Sequence, residues 1–236
     1  SRGDVKKTIA VTGELDVLNP VTVLSKINGI IINTYTDFNQ KVSKGQLLLQ
    51  IDSTAIDQKI QRISGQLESM RMEVLSAQAD LEGKKNLFKD NLISRRALEQ
   101  AEINYKGIQS KYNQIRLDYE QAREEKNSAN IHSPINGIVI NMYREKNQAV
   151  GINNPLFLLA ENLRKMVLTI NIDESDIGFI KIGQQVIFTV SAFPEKRFTG
   201  KIEQVRINPV KSGSLVSYQS IVLCENEELL LKPGMT

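Results

Sequence analysis

The 236-residue chain offers few side chains that could perform covalent or metal chemistry. It holds one cysteine, Cys224, and one histidine, His132, which excludes a disulfide within the chain, a multi-cysteine zinc site and most histidine-based triads. Cys224 follows two apolar residues and is expected to pack as a small hydrophobic side chain. His132 could sense pH, but a lone histidine at the start of a strand favours a structural role. We therefore expect no catalytic residue, no cofactor and no metal site, and we do not expect an enzyme.

Three carboxylates stand close together at Asp173, Glu174 and Asp176. They could coordinate a cation, but acidic residues at the start of a helix also interact favourably with the helix dipole without any metal. We favour the second interpretation. It predicts a short helix that is capped by Asp173, has Asp176 in a capping-box-like position and ends before Gly183.

The amino-acid composition narrows the possible classes of function further. Thirty Lys and Arg against 27 Asp and Glu give a net charge of +3, which is too balanced to indicate nucleic-acid binding. The chain is 41% hydrophobic, so it can bury a core, and no apolar run approaches the roughly 18 residues of a membrane span. It begins without Met and ends on a sequence typical of a strand entry, so we expect it to be a piece of a longer protein.

A repeat with an offset of 108 residues organises the chain. Residues 27–35 (INGIIINTY) return at 135–143 (INGIVINMY), and the match continues without a gap to residues 51 and 159. Each copy predicts an Asn-Gly turn, a short strand, a polar loop and a second apolar strand. Because a copy this small cannot bury both of its faces, the two copies are expected to pack on each other as a β-sandwich.

Between the copies, apolar residues recur with spacings of three and four, which predicts two helices in an antiparallel coiled-coil hairpin. Paired seam residues are expected to have numbers that add to 178 or 179. Lys89-Asp90-Asn91 provides the turn, and Ser94 is expected to cap the second helix. Helices of roughly 35 residues would make a rod about 50 Å long. The seam residues are Ile56, Ile60, Ile63, Leu67, Met70, Val74, Ala77 and Leu81, and then Leu98, Ala101, Tyr105, Ile108, Tyr112, Ile115, Tyr119 and Ala122.

After residue 160 the pattern changes to alternating strands that predict a small β-barrel. Residues 8–13 alternate as well and are expected to add a strand that closes it. The other predicted strands cover residues 166–172, 185–190, 198–205 and 218–223.

The order of these segments, with residues 133–137 (SPING), 173–184 (DESDIGFIKIGQ) and 231–236 (LKPGMT), resembles the periplasmic adaptor family, also called membrane fusion proteins, of Gram-negative tripartite exporters. The resemblance implies an elongated multi-domain fold with a split lipoyl-like β-sandwich, a coiled-coil α-hairpin and a β-barrel. It implies a barrel of residues 1–20 with 161–236, which leads to a membrane-proximal domain outside the chain. The lipoyl-like domain would comprise residues 21–52 with 130–160, and the hairpin residues 53–129.

The resemblance also implies a function. It predicts a periplasmic adaptor subunit that bridges an inner-membrane transporter and an outer-membrane channel in an efflux or secretion system. Such an adaptor would form a homo-oligomeric ring, a hexamer, and an N-terminal segment outside this chain would anchor it to the inner membrane. The start of the chain, with Arg2-Gly3-Asp4, is most similar to adaptors of macrolide-type ABC exporters, and resistance-nodulation-division adaptors stay as the alternative.

Partner-binding residues follow from the same resemblance. At the hairpin tip many adaptors carry Arg, then Leu four residues later, then Ser seven further on. Leu87 and Ser94 match, whereas Gly83 replaces the Arg and Lys84 stands beside it. Leu87, Ser94 and Lys84 are therefore expected to contact the channel, although Leu87 could equally be the last seam layer and Ser94 a simple cap. A loop with Asn153 and Asn154 could line the central channel of a ring, or could be an ordinary turn.

Two other function classes stay open. Biotinyl and lipoyl carrier domains share the sandwich but need an exposed lysine on the turn that the hairpin replaces here. Met70-Arg71-Met72 is similar to the carrier Met-Lys-Met, yet an arginine cannot replace the acylated amine. A purely structural coiled-coil tether is the third class.

Overall fold

A computed structural model describes the backbone of residues 8–212 and 215–236. Arg2-Gly3-Asp4 lies outside the described residues. The elements are β1 Gly13–Val17, β2 Val21–Leu24, β3 Gly29–Thr34, β4 Lys41–Val42, β5 Leu47–Ile51, α1 Thr54–Lys89, α2 Arg95–Asn127, β6 Asn130–His132, β7 Gly137–Met142, β8 Ala149–Val150, β9 Pro155–Ala160, β10 Lys165–Asp173, a 3-10 turn Ile177–Phe179, β11 Gln185–Val190, β12 Phe193–Ser212 and β13 Leu215–Glu225.

The two repeat copies build one β-sandwich. Its sheets have the orders β2-β9-β7-β4 and β6-β5-β3-β8. Each sheet takes a two-residue strand from the other copy, because β4 pairs with β7 and β8 pairs with β3. Apolar residues of both copies form a single core that includes Ile31, Leu48, Val139 and Leu156. The prediction that the copies pair in space is confirmed.

The repeat extends to individual hydrogen bonds. Ser25 Oγ donates to the carbonyl of Ile27 at 2.7 Å, and Ser133 Oγ donates to the carbonyl of Ile135 at the same distance. Between the copies, the backbone N–H of Asn39 donates to Val139 at 2.9 Å, and the N–H of the equivalent Asn147 donates to Ile31 at 2.8 Å. The sandwich therefore has a pseudo-twofold axis, which relates residues 108 positions apart.

The Asn-Gly pairs do not form the hairpin turns that the sequence predicts. Gly29 and Gly137 are the first residues of β3 and β7, and neither has a positive φ. Glycine is required there because a Cβ on Gly29 would lie 2.5 Å from Cγ2 of Ile51, and one on Gly137 would overlap the carbonyl of Ala160. The two glycines permit close packing of strands rather than a tight turn.

The inserted segment forms the predicted pair of antiparallel helices. Ser94 caps α2, since its Oγ accepts a hydrogen bond from the N–H of Ala97 at 3.3 Å. Asn91 supplies the left-handed residue of the turn, with φ 59°. All sixteen predicted seam positions are buried or half-buried, so the periodicity identified the contact faces.

The register of the two helices differs from the predicted one. Lys59 Nζ lies 2.9 Å from Glu125 Oε2, and Lys126 Nζ lies 2.6 Å from Asp57 Oδ1. The numbers of these partners add to 184 and 183, and the helix ends that flank the turn, Lys89 and Arg95, also add to 184. The apolar seam pairing nearest to these sums has a sum of 182, as in Leu67 with Ile115. The ion pairs therefore indicate a register that differs from the predicted sums of 178 and 179 by three to four residues, about one helical turn.

The remaining strands form a five-stranded antiparallel sheet in the order β1-β10-β13-β12-β11 around a second apolar core. Its two edges are joined by the C-terminal segment. The N–H of Leu15 in β1 donates to the carbonyl of Met235 at 2.9 Å, and the N–H of Ser191, just after β11, donates to that of Thr236 at 3.0 Å. The segment thus closes the sheet into a barrel.

Two predicted elements of this part are wrong. The first strand covers Gly13–Val17 instead of residues 8–13, because its pairing with β10 begins at Gly13. The helix is only the 3-10 turn Ile177–Phe179, for which Asp176 occupies the cap position without a side-chain cap bond. Asp173 cannot start a helix because it is the last residue of β10, paired with Ser217.

Candidate partner-binding site

The hairpin tip presents an apolar surface on a well-defined turn. Leu87 is 42% exposed, Phe88 37% and Leu92 69%. The N–H of Leu92 donates to the carbonyl of Leu87 at 2.8 Å, so the turn folds back onto the last helical residues. Exposed apolar side chains grouped at one end of the hairpin make the tip a candidate contact surface, because contiguous apolar patches commonly mark interaction sites.

Sequence reasoning selected Leu87 but missed Phe88 and Leu92. Phe88 continues the heptad series seven residues after Leu81, which was the available signal for it, whereas Leu92 falls outside the series of both helices. Ser94 is exposed at the tip and its hydroxyl is used in the cap, so its predicted structural role is confirmed. Lys84 lies about one turn before the tip and pairs with Asp80 at 2.9 Å.

At the other end of the hairpin, two ion pairs hold the helices together where they leave the sandwich. Lys126 donates to Asp57, and this hydrogen bond is the main reason that the pKa of Asp57 is lowered. The second pair joins Lys59 and Glu125. Asp52 accepts hydrogen bonds from the hydroxyl and from the N–H of Thr54, which lower its pKa and fix the first turn of α1. The hairpin is thus fastened at its base and uncovered at its tip.

The loop with Asn153 and Asn154 is a built turn of the sandwich. Asn153 takes φ 65°, and its repeat equivalent is Gly45 with φ 83°. Asn154 Oδ1 accepts a hydrogen bond from the N–H of Gly151 at 2.8 Å, so this side chain is committed to the turn. The side chain of Asn153 is exposed and is the one available for a contact outside the chain.

The other residues singled out from the sequence do not form a reactive site. His132 is an exposed end residue of β6, and Cys224 is fully buried in the barrel core. Arg71, in the carrier-like triplet, is exposed and pairs with Glu68. No group of three or more His, Cys, Asp or Glu side chains among the described residues is arranged to hold a metal ion. In the same part of the chain, neither long helix is apolar enough to cross a membrane.

Comparison with protein families gives two matches that together span most of the chain. Residues 19–159 match the family model "RND MFP, barrel-sandwich hybrid domain", and residues 167–236 match "CusB-like, beta-barrel domain". The first match contains the hairpin and the sandwich except for Ala160 at the end of β9, and the second contains the five-stranded sheet except for β1 and the start of β10.

Individual relatives agree with these matches. The macrolide export protein MacA of Yersinia pestis is 25% identical over 99% of this chain, which spans 67% of that protein. The crystal structure of MacA from Actinobacillus actinomycetemcomitans is 27% identical, with a TM-score of 0.75 over 100% of this chain and 78% of that one. A MacA-MexA chimera with the Pseudomonas aeruginosa MexA hairpin is 29% identical, with a TM-score of 0.71 over 99% of this chain and 81% of that one.

The chain therefore belongs to the RND membrane fusion protein family, a transport-associated class without catalytic activity. It is a periplasmic adaptor of a tripartite efflux system and works with an inner-membrane transporter and an outer-membrane channel.

Proposed function

We propose that this adaptor serves an ABC exporter of the macrolide type and bridges it to the outer-membrane channel through the tip of the helical hairpin. The observation that carries the proposal is the hairpin itself, whose 36- and 33-residue helices extend about 50 Å from the sandwich to an exposed apolar tip. Matches to macrolide export proteins over 99% of the chain support the exporter class. An ABC permease gene beside the adaptor gene is the expected genomic context, and a gene for a proton-driven pump would contradict it.

The domains have separate tasks in this proposal. The barrel, residues 1–20 with 161–236, contacts the transporter. The lipoyl-like sandwich, residues 21–52 with 130–160, seals the ring, and the coiled-coil hairpin, residues 53–129, sets the distance to the channel. An N-terminal segment outside the chain anchors the adaptor to the inner membrane.

The channel contact is proposed to involve Leu87, Ser94 and Lys84 at the tip. Leu87 contributes apolar area, and the cap that Ser94 forms holds α2 in the position that presents it. Lys84 keeps a positive charge one turn before the tip while it pairs with Asp80.

The adaptor is proposed to form a hexameric ring in which α1 of one subunit packs on α2 of the next. The face of α1 opposite the seam is exposed, uncharged and made mostly of small residues, with spacings of four and three. We call it the small-residue face, and its members are Gly65, Ser69, Met72, Ser76, Ala79 and Gly83. A Cβ at Gly65 or Gly83 would meet nothing within 4 Å in the same chain, so neither glycine is explained by packing inside the subunit.

The outward face of α2 has matching properties. It is uncharged over six successive spacings of three or four and combines amides with two exposed apolar residues. We call it the amide face, and its members are Gln100, Ile103, Gly107, Ser110, Gln114, Leu117 and Gln121. Small residues let helix backbones approach closely, so the two faces suit contact between neighbouring hairpins. The exposed Asn153 side chain would then point to the interior of the ring.

Leu87→Asp tests the tip contact. The variant should keep its helical circular dichroism but lose association with the channel and lose export, because a buried charge in an apolar contact costs several kcal/mol. Asn104→Asp, which adds the same charge at an exposed residue of the hairpin shaft, is the control and should export normally. Normal assembly of Leu87→Asp would contradict the tip assignment, and loss of helical signal would make Leu87 a core residue only.

Ala79→Lys tests the ring contact. It adds a charge to the small-residue face, so native mass spectrometry of the full-length adaptor should show oligomers with fewer subunits. Gln66→Lys, an equally exposed change on the same helix but beside the seam, is the matched control and should leave the assembly intact. Equal assembly of both variants would contradict the proposed contact.

A further inference from the structure

We propose that the hairpin tip is a cationic docking head that recognises a protein surface in which an apolar socket is bordered by carboxylates. This inference rests on the proposed contact between the tip and the outer-membrane channel, and it adds the chemistry that the channel must offer.

Charge is distributed unevenly along the hairpin. Between Lys84 and Arg96 the chain has five cations and one carboxylate, whereas the rest of the two helices, residues 54–83 and 97–127, has eight cations and eleven carboxylates. The tip is therefore positive and the shaft negative. A rod with this polarity presents its tip to an acidic surface and is repelled by the same surface along its length.

Two of the tip cations occupy positions that the helix itself disfavours. Arg95 and Arg96 are the first residues of α2, whose first turn contains no acidic residue. The partial positive charge of a helix N-terminus repels cations, so these arginines do not stabilise the helix that carries them. Arg95 is compensated by Glu99 at 2.9 Å, but Arg96 makes no ion pair among the described residues. Because the positive charge of Arg96 does not help α2 to fold, a role in binding explains its presence.

Two other cations of the tip are also available to contact a partner protein. Lys85 and Lys89 are exposed and, within the described part of the chain, have no carboxylate partner. Together with Arg96 they flank Leu87 and Leu92 along the sequence of the tip, and we call these three cations the basic collar. Cations around an apolar centre match the usual anatomy of a protein interface, with its polar rim and buried core.

The shape of the tip favours a protein over a lipid bilayer. Its turn is fixed by the Leu92–Leu87 backbone hydrogen bond, the left-handed Asn91 and the Ser94 cap. A rigid apolar projection fits a formed socket, whereas a fluid bilayer gains nothing from that rigidity. Asp90, at the centre of the turn, would in addition be repelled by anionic headgroups.

Binding of the purified full-length adaptor to its purified outer-membrane channel, measured by biolayer interferometry between 50 and 300 mM NaCl, tests the inference. The affinity of the wild-type adaptor for the channel should fall steeply as the salt concentration rises, because salt screens exposed charges. The collar variant Lys85→Glu/Lys89→Glu/Arg96→Glu should bind at least about tenfold more weakly at low salt and lose most of the salt dependence. The control Lys106→Glu/Lys111→Glu/Arg123→Glu reverses three exposed cations of the shaft and should stay within about twofold of wild type.

The outcomes separate the two proposals. If Leu87→Asp abolishes binding while the collar variant binds like wild type, the tip contact stands and the cationic head is overturned. If neither variant changes binding, the tip contact itself fails and takes the cationic head with it. In a third arm, binding to vesicles of phosphatidylglycerol is measured. If the collar variant binds these vesicles more weakly than wild type but binds the channel with unchanged affinity, the basic collar recognises lipid and the inference is overturned.

Helical circular dichroism checks that the collar variant is folded. Should it lose helical signal, Lys89→Gln/Arg96→Gln replaces it, because removal of two charges at the helix ends is milder than reversal of three. The expected result is a smaller loss of affinity in the same direction. An unchanged affinity of this folded variant would overturn the inference.

Discussion

Asn28 Oδ1 accepts a hydrogen bond from the backbone N–H of Ile152 at 3.0 Å, across 124 residues of sequence. Its repeat equivalent Asn136 accepts one from the N–H of Lys44 at 2.8 Å, so each copy holds the loop of the other. These two amides brace the sandwich that supports the hairpin, and they give the asparagines of both Asn-Gly pairs a role that does not involve a turn.

Loss of a brace should destabilise the sandwich. Asn28→Ala and Asn136→Ala are each expected to lower the free energy of unfolding by about 0.5–1.5 kcal/mol, the usual contribution of one hydrogen bond. Urea titration followed by circular dichroism measures it. Asn104→Ala, an exposed change within α2, is the control and should not destabilise, since alanine is the better helix former. Equal stability of both brace variants and wild type would show that the amides contribute nothing.

Glycine substitutions should separate strand packing from helix propensity. Gly137→Ala should destabilise strongly because its Cβ would overlap the backbone carbonyl of Ala160, which cannot move aside easily. Gly65→Ala, in open space on α1, should raise the stability of the isolated subunit by about 1 kcal/mol. Thermal unfolding of the two variants measures both effects, and a tolerated Gly137→Ala would contradict the close approach of β7 and β9.

Cys224 should be unreactive in the native protein. Burial raises the pKa of its thiol to about 12, whereas an unfolded thiol titrates near pH 8.5. Between these values the unfolded state loses a proton that the native state keeps, so this residue makes stability fall as pH rises above about 8.5. A disulfide reagent at pH 8 should react only after urea is added. Cys224→Ala should show a shallower loss of stability at alkaline pH, and fast native labelling would contradict the burial.

The helix register can be tested by engineered disulfides. The two ion pairs at the base, with sums of 184 and 183, make Ile115 the nearest seam partner of Leu67, with a sum of 182, so cysteines at these two positions should crosslink. Cysteines at Leu67 and Tyr112, whose sum is 179, should crosslink less efficiently because they are offset by roughly 4.5 Å along the axis. Non-reducing electrophoresis of the two double variants decides, with Cys224 buried in both. Preferential crosslinking of the second pair would restore the sequence-predicted register.

Sequence predicts the sandwich and the helices well because both depend on periodic apolar positions. The offset of 108 was visible since the two copies make the same contacts, and the seam was visible since it needs an apolar residue every three or four positions. The register of the two helices was not visible in the sequence, because a shift of three or four residues keeps every apolar side chain on the seam. Leu67 can face Tyr112 or Ile115 with the same pattern.

Failures at short elements have a different cause. Asp173 and Asp176 match a helix start locally, but the pairing of β10 with β13 continues to Asp173 and leaves room for a single 3-10 turn. Gly29 and Gly137 match a turn locally, whereas contacts with residues of distant strands decide their role. Long-range strand pairing overrides local preference in both cases. At the tip, Leu92 escaped notice because a partner-binding residue has no periodicity to reveal it.

The bridging role is tested most directly by photocrosslinking in cells from a photoreactive amino acid at Leu92 of the full-length adaptor. The same amino acid at Asn104, on the shaft, is the control. We expect a crosslink from position 92 to the outer-membrane channel, none from there to the transporter, and none from position 104 to the channel. A crosslink from position 92 to the transporter, or a channel crosslink from position 104 alone, would contradict a hairpin that reaches the channel with its tip.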